Sequence, residues 1–222
     1  IGNPKEQFSF DGKRYSRSSL NYLMALSCLG KFTDLSQIQS VLEIGGGYGT
    51  LGEIISKSWP ARCQYINFDI PPICNISSYY LSQVSSSFSG IEEIENINDF
   101  SFSDISEVNV AANWKIENFK DTIDLFVNLI SFQEMEPDVI KNYLDLVEKF
   151  KPVFILLRHI REGKQQWSDH SKIGVIKPTK PAFYQNNLNN YELLYSSELP
   201  FGYFTADEFH SDVIIYKRKT SI

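Results

Sequence analysis

A glycine-rich segment, residues 43–52 (EIGGGYGTLG), directly follows a short apolar run and carries the clearest chemical signal in the chain. Gly45, Gly47 and Gly49 alternate there, and glycines let a backbone turn sharply from a strand into a helix and approach a ligand with no Cβ in the way. Asp69 follows Gly49 by 20 positions (69 minus 49), at the end of the next apolar run. A carboxylate at that place can accept both hydroxyls of a ribose. The spacing therefore predicts a site for a nucleoside-containing cofactor.

Both features also have a purely structural interpretation. A glycine-rich turn can exist only to pack a helix closely on a strand. Asp69 can serve as the N-cap of a helix that begins near Pro71.

Residues 41–49, VLEIGGGYG, resemble the first motif of class I S-adenosylmethionine-dependent methyltransferases. The resemblance implies that the alternating glycines line the methionine and ribose portions of the cofactor, and that Glu43 binds the amino group directly or through water. We also expect the adenine to lie near Asn113 and Trp114, although a loop Asn beside a partly buried Trp is an equal alternative. The complete set of predicted cofactor-binding residues is Glu43, Gly45, Gly47, Tyr48, Gly49, Asp69, Ile70, Asn113, Trp114 and Asn128.

Three further segments resemble a family described as bacterial sugar O-methyltransferases. They are Asp69-Ile70-Pro71-Pro72, Tyr79-Tyr80-Leu81 and residues 124–135 (DLFVNLISFQEM), and the resemblance covers about residues 40–150. It implies that the acceptor is a hydroxyl of a surface-polysaccharide or nucleotide-linked sugar, so that the partner is a small molecule or a glycan.

Two other functions compete with methyl transfer. Residues 47–52 also match GxGxxG, the pattern of an NAD(P)-dependent oxidoreductase, and a non-catalytic binding module can keep the methyltransferase fold. Glu43 ahead of the glycines, the absence of room for a second substrate domain, and a pair of C-terminal strands favour the methyltransferase.

Two side chains are candidates for the catalytic base that accepts a proton from the acceptor hydroxyl. His159 is expected just after a buried strand, and Glu134 within the SFQEM run, with His170 a distant third. A base with a pKa near neutrality is the most effective, which favours His159. The structural alternatives are a capping Glu134 and a His159 that only satisfies a backbone carbonyl. We expect no metal, because Glu134 and Glu136 would point apart on a helix.

Composition excludes several classes of protein. With 222 residues and 42% hydrophobic side chains, the chain can bury one sizeable core. Its net charge of -6, with scattered basic residues, argues against a nucleic-acid partner.

Three cysteines without CxxC spacing indicate a reducing compartment. No run approaches the roughly 20 apolar residues of a membrane span, and no signal peptide begins the sequence, so we expect a cytoplasmic protein. The sequence does not predict the oligomeric state.

The elements that position these residues alternate along the chain. Strands are expected at 40–44, 64–68, 108–112, 123–127 and 153–157, with helices at 51–57, at 73–84 and from Pro137 onward, and with final strands at 191–196 and 212–217. The alternation predicts an α/β, Rossmann-like, doubly wound and mostly parallel seven-stranded sheet with an antiparallel edge hairpin at the C-terminus. We expect one domain over 1–222, with an N-terminal helical segment at 1–39, a core at 40–222 and a polar insertion at 163–190 that can act as a lid.

Overall fold

A computed structural model describes residues 4–168, 174–198 and 210–220. The chain divides into two compact units, Ile1–Asp121 and Thr122–Ile222. Each unit has its own parallel strands, and each is described by itself.

The first unit begins with a β-hairpin that precedes its first long helix. Strands β1 (Gln7–Phe10) and β2 (Lys13–Ser16) pair antiparallel. Between them, Asp11 and Gly12 have φ of 49° and 73°, the left-handed conformations that a two-residue hairpin turn requires. Helix α1 (Arg17–Leu29) follows at once, and the hydroxyl of its N-cap Ser16 accepts a hydrogen bond from the Ser19 amide.

Four parallel strands form the sheet of the first unit, in the order β5-β6-β4-β3. The elements are β3 (Ser40–Ile44), α2 (Thr50–Ser58), β4 (Gln64–Asp69), α3 (Ile73–Val84), β5 (Phe88–Ser89), α4 (Ile91–Glu95) and β6 (Val108–Ala112). Ile44 is the register partner of Phe68, and Asp69 is the partner of Ala112. The segments that follow β3, β4 and β6 therefore leave the same edge of the sheet side by side.

The second unit also has four strands, in the order β7-β8-β10-β9. Its elements are β7 (Leu125–Leu129), α5 (Pro137–Lys149), β8 (Phe154–Ile160), α6 (Pro181–Asn187), β9 (Tyr191–Glu198) and β10 (Ser211–Arg218). Strands β7 and β8 are parallel, whereas β10 runs antiparallel to both β8 and β9. The C-terminal strands thus reverse the direction of the sheet, as expected.

The predicted fold class is confirmed: the chain is α/β with mostly parallel strands and an antiparallel C-terminal pair. The described residues place eight strands in this arrangement, four in each unit, where seven were expected. The additional strand is β5, which has only two residues and lies where no strand was expected. The extent of β8 was wrong, because the strand continues to Ile160 rather than ending at Leu157. The single-domain assignment stays a prediction.

No helix in the described parts of the chain is long and apolar enough to cross a membrane.

Candidate active site

The glycine turn between β3 and α2 has an unusual backbone. Gly45, Gly47 and Gly49 have φ of 71°, 59° and 88°, values that side chains of L-residues rarely adopt. The Gly45 amide donates to the Phe68 carbonyl at 2.8 Å, which fixes the start of the turn against the end of β4. The alternating glycines singled out in the sequence are therefore those with left-handed backbone.

The glycines of this segment have different structural roles. A Cβ added to Gly49 would lie 2.7 Å from Leu81 Cδ1, and one added to Gly52 would lie 2.7 Å from Tyr65 Cε1. Those two glycines allow the turn and α2 to pack closely. A Cβ added to Gly47, in contrast, would meet no described atom within 4 Å. Packing accounts for Gly49 and Gly52, whereas Gly47 faces open space that a ligand can enter.

Asp69, at the end of β4, is bonded to the glycine turn. Its Oδ2 accepts a hydrogen bond of 2.9 Å from the Gly47 amide, and its Oδ1 accepts one of 2.8 Å from the Ile70 amide. Burial raises the pKa of Asp69, and the two amide hydrogen bonds oppose that rise. The Asp69 carboxylate thus stabilises the glycine turn and the end of β4 rather than the first turn of α3. The predicted capping role is therefore not the one that the structure gives it.

Glu43 lies beneath the turn and is fully buried. The Tyr22 hydroxyl donates to its Oε1 at 2.6 Å, and the Tyr65 hydroxyl donates to its Oε2 at 2.5 Å. A Cβ on Gly46 would lie 2.5 Å from Oε2, so the carboxyl forms the floor of the turn. Burial raises the pKa of Glu43 to about 7, although both tyrosine hydrogen bonds lower it and the nearby Asp69 carboxylate raises it further.

Asn67 of β4, the register partner of Glu43 on β3, supports the same part of the turn. The Gly46 amide donates to Asn67 Oδ1 at 2.9 Å, while the Asn67 Nδ2 is buried without a hydrogen-bond partner among the described residues. Sequence analysis missed Tyr22, Tyr65, Gly46 and Asn67. These residues lie on α1, on β4 and in the turn, and no local spacing links all of them, although three consecutive glycines did mark the turn.

Exposed apolar side chains border the same edge. Tyr48 at the tip of the turn is 68% exposed, Ile70 54% and Trp114 53%. Asn113 and Trp114 open a 3-10 helix directly after β6, and the Trp114 Nε1 lies 3.3 Å from both carboxylate oxygens of Glu95. The predicted adenine-binding pair thus follows the strand next to β4, with an accessible indole.

In the second unit, Asn128 organises a tight turn after β7. Its Oδ1 accepts from the Phe132 amide at 3.0 Å, and its Nδ2 donates to the Ser131 hydroxyl at 2.6 Å. Ile130 in this turn has φ of 85°, a strained conformation for a β-branched residue and one that is concentrated at functional sites. Asn128 is buried, and its predicted contact with a cofactor stays a prediction.

His159 is not where the sequence analysis placed it. It lies inside β8, is 1% exposed, and pairs in register with Asp212 of β10. Its Nδ1 is 2.6 Å from the Ile160 carbonyl oxygen and its Nε2 is 3.2 Å from the Thr179 hydroxyl. Burial lowers the pKa of His159 to about 4, so the ring is neutral at pH 7. These features favour the structural alternative for His159 over the role of base.

Glu134 is the more accessible of the two candidates. Its side chain is 58% exposed and forms an ion pair of 3.0 Å with Lys164 from the polar insertion. Glu136 binds the same insertion, because its carboxylate accepts hydrogen bonds from the Ile176 and Lys177 amides. Gln133, directly before Glu134, accepts from the Ile160 amide at 2.9 Å and joins the turn to β8. His170, the third candidate, lies outside the described residues.

Within the described residues, no group of three His, Cys, Asp or Glu side chains is placed to hold a metal ion.

A family model matches part of the chain. A model of the O-methyltransferase domain family matches residues 4–95, the part of the chain that includes the glycine turn and Asp69. No curated protein sequence matches the chain.

Several solved structures of methyltransferases have a fold similar to that of this chain. Magnesium protoporphyrin IX methyltransferase from Synechocystis PCC 6803 with bound SAM has a TM-score of 0.58 and 10% identity over 90% of this chain and 78% of that one. Coclaurine N-methyltransferase has a TM-score of 0.57 and 12% identity, over 97% of this chain and 75% of that one. An O-methyltransferase from neocarzinostatin biosynthesis, in complex with SAH and 1,4-dihydroxy-2-naphthoic acid, has a TM-score of 0.55 and 8% identity. This chain spans 57% of that enzyme, and the comparison covers 90% of this chain.

Proposed function

We propose that the chain is an S-adenosylmethionine-dependent O-methyltransferase. The observation that carries the proposal is the open space at Gly47 beside the Asp69 carboxylate. The open space at this left-handed glycine can admit a ligand, and the adjacent Asp69 carboxylate is the acceptor that ribose hydroxyls need. The residues of the first unit therefore fit the cofactor.

Each residue at this edge has a defined task. Asp69 accepts hydrogen bonds from ribose hydroxyls with the lone pairs that its two amide bonds leave available. Ile70 and Trp114 offer apolar faces to the adenine, and Asn113 pairs with its polar edge. The turn from Gly45 to Gly49 brings backbone close to the methionine portion. When bound, the cofactor supplies a sulfonium methyl group as electrophile.

We assign Glu134 as the base that deprotonates the acceptor. A bound cofactor would supply the methyl group for the acceptor oxygen, and the Glu134 carboxylate would accept the proton of the acceptor hydroxyl. Glu134 is preferred because it is exposed at a strained turn after β7, whereas His159 is buried with both ring nitrogens engaged. Alignment of the acceptor in line with the breaking bond supplies much of the remaining rate enhancement.

The acceptor that we propose is a sugar hydroxyl of a bacterial polysaccharide or of a nucleotide-linked sugar. The proposal depends on the resemblance of residues 124–135 and of the segments around Asp69 and Tyr79 to sugar O-methyltransferases. An acceptor screen with isotopically labelled cofactor tests it, with nucleotide sugars, free glycans and small phenols as separate arms. If only the phenols are labelled, the acceptor is a phenol and the sugar assignment is wrong.

A thermal-shift panel with S-adenosylhomocysteine, NAD and NADP tests the cofactor. A ligand present at 100 times its dissociation constant stabilises the folded state by about 2.7 kcal/mol. We expect this response to S-adenosylhomocysteine and none to either dinucleotide. A response to NAD or NADP alone would instead identify an oxidoreductase. Binding of S-adenosylhomocysteine without turnover of any acceptor would favour a non-catalytic module.

A further inference from the structure

The carboxyl of Glu43 is the most deeply held ionisable group near the glycine turn. It is fully buried, yet both of its oxygens have a hydroxyl donor, Tyr22 from α1 and Tyr65 from β4. A buried carboxylate without a cation is costly, whereas a buried neutral carboxyl with two hydrogen bonds is not. The two tyrosine donors favour the carboxylate form of Glu43, whereas burial favours the neutral acid.

The Glu43 carboxyl packs directly against the glycine turn, which we propose binds the cofactor. Gly46 has no room for a side chain because its Cβ would lie 2.5 Å from Glu43 Oε2 and 2.8 Å from Asn67 Oδ1. A change in the charge of Glu43 thus acts directly beneath the turn. The groups that act electrostatically on Glu43 are Tyr22, Tyr65 and Asp69, and no basic side chain of the described residues is among them.

From this geometry we infer that binding of the cofactor is coupled to the release of one proton from Glu43 under the glycine turn. Tyr22 and Tyr65 are positioning residues that hold the Glu43 carboxyl there. The inference rests on the proposed function, since the cofactor's amino group supplies the positive charge that the free protein lacks here. An approaching ammonium favours the carboxylate form, because opposite charges stabilise one another most strongly in a buried site.

The coupling has a defined direction. Burial raises the pKa of Glu43 to about 7 in the free protein. A bound ammonium lowers that pKa, so the complex holds fewer protons than the free protein near neutrality. Affinity for the cofactor must then rise as the pH increases through 7, and level off where Glu43 is already ionised in the free protein.

Calorimetric titration of S-adenosylhomocysteine into the wild-type protein tests the inference without any variant. Titrations at pH 7 in buffers of different ionisation enthalpy give the number of protons released, and we expect about half a proton or more per ligand, since a group at its pKa is half protonated. Affinity at pH 8 should exceed that at pH 6 several-fold. Binding without proton release overturns the inference and leaves the proposed function intact, whereas no binding at any pH overturns the proposed function itself.

Variants then identify the groups. In Glu43→Gln, the proton release should disappear, which also excludes Asp69 as its source. In Tyr22→Phe and Tyr65→Phe, loss of a hydrogen bond that favours the charged form should move the midpoint of the affinity profile to higher pH. The matched control is Tyr80→Phe, because the Tyr80 hydroxyl donates to Glu53 at 2.5 Å in the same unit. If all three tyrosine variants keep the wild-type midpoint, Tyr22 and Tyr65 are merely structural.

Discussion

The amide of Gly47 and the carboxylate of Asp69 are joined by a hydrogen bond of 2.9 Å. One end of this bond belongs to the glycine turn after β3 and the other to the end of β4, so a single contact fixes the width of the proposed cofactor site. Asp69 therefore shapes the turn and remains available to a ligand, because a carboxylate accepts more hydrogen bonds than the two it makes here.

We expect Asp69→Ala to weaken binding of S-adenosylhomocysteine by about 1.5 to 3 kcal/mol, the cost of losing charge-assisted hydrogen bonds. Calorimetry measures the change. Asp34→Ala is a suitable control, because the Asp34 carboxylate also accepts a backbone amide, that of Ser36, away from the turn. Unchanged affinity in a folded Asp69→Ala protein would leave Asp69 with a role in the turn only.

We expect Gly47→Asn to abolish cofactor binding while the protein stays folded. Asn tolerates the left-handed backbone better than other side chains, so the substitution fills the open space with little backbone strain. Gly12→Asn is the matched control, since Gly12 also has a positive φ, of 73°, and a Cβ there also meets nothing within 4 Å. Equal affinities of the two variants for S-adenosylhomocysteine would show that the space at Gly47 is not used.

We expect Glu134→Gln to lower kcat about 100- to 10,000-fold, the range for loss of a general base, with little change in cofactor affinity. Steady-state kinetics with the acceptor found in the screen measures it. Glu136→Gln serves for comparison, because its carboxylate binds the amides of Ile176 and Lys177 and is not assigned to proton transfer. If His159→Asn instead shows the larger loss of kcat in a stably folded protein, the assignment based on the sequence is restored.

Stability should depend on pH through two buried groups that act in opposite directions. The pKa of Glu43 is raised to about 7, so its contribution is present below pH 4.5 and is lost as the pH rises to 7. The pKa of His159 is lowered to about 4, so the folded state loses stability as the pH falls from 6.5 towards 4. Each effect amounts to roughly 3 kcal/mol, at 1.36 kcal/mol per pKa unit, and the two largely cancel in the wild-type protein.

Denaturant unfolding between pH 4 and pH 8 separates these effects. The variant Glu43→Gln should become less stable with falling pH, since Glu43 no longer offsets the His159 contribution. The variant His159→Asn should become more stable over the same range. Parallel profiles for both variants would contradict the assignment of either pKa.

Much of the fold is predictable because apolar runs and glycines act locally. The limits of α3 and β6 agree with those expected from periodicity and apolar runs. The end of β8 was not predictable in the same way, because its last residues are held by pairing with β10, from Ile160 with Ser211 onward. The N-terminal hairpin was missed although Asp11-Gly12 is a strong turn signal.

The residues of the candidate site also differ in whether the sequence alone predicts them. Gly47 and Asp69 could be chosen from spacing, because the glycine turn and the following strand end lie close in the sequence. Tyr22 and Tyr65 could not, because their hydroxyls meet Glu43 only when α1, β3 and β4 come together in the folded chain. The burial of His159 was equally hidden, since Thr179 and Asp212 approach it from distant segments.

The accessible indole of Trp114 offers an optical test of the proposed adenine site. Its Nε1 lies 3.3 Å from the Glu95 carboxylate, and more than half of the side chain is exposed to solvent. A purine that stacks on this ring should change its fluorescence, whereas the emission of Trp59, whose Nε1 donates to the Ile38 carbonyl, should stay the same. The protein therefore carries an intrinsic fluorophore with which ligand occupancy can be followed in real time, without any label.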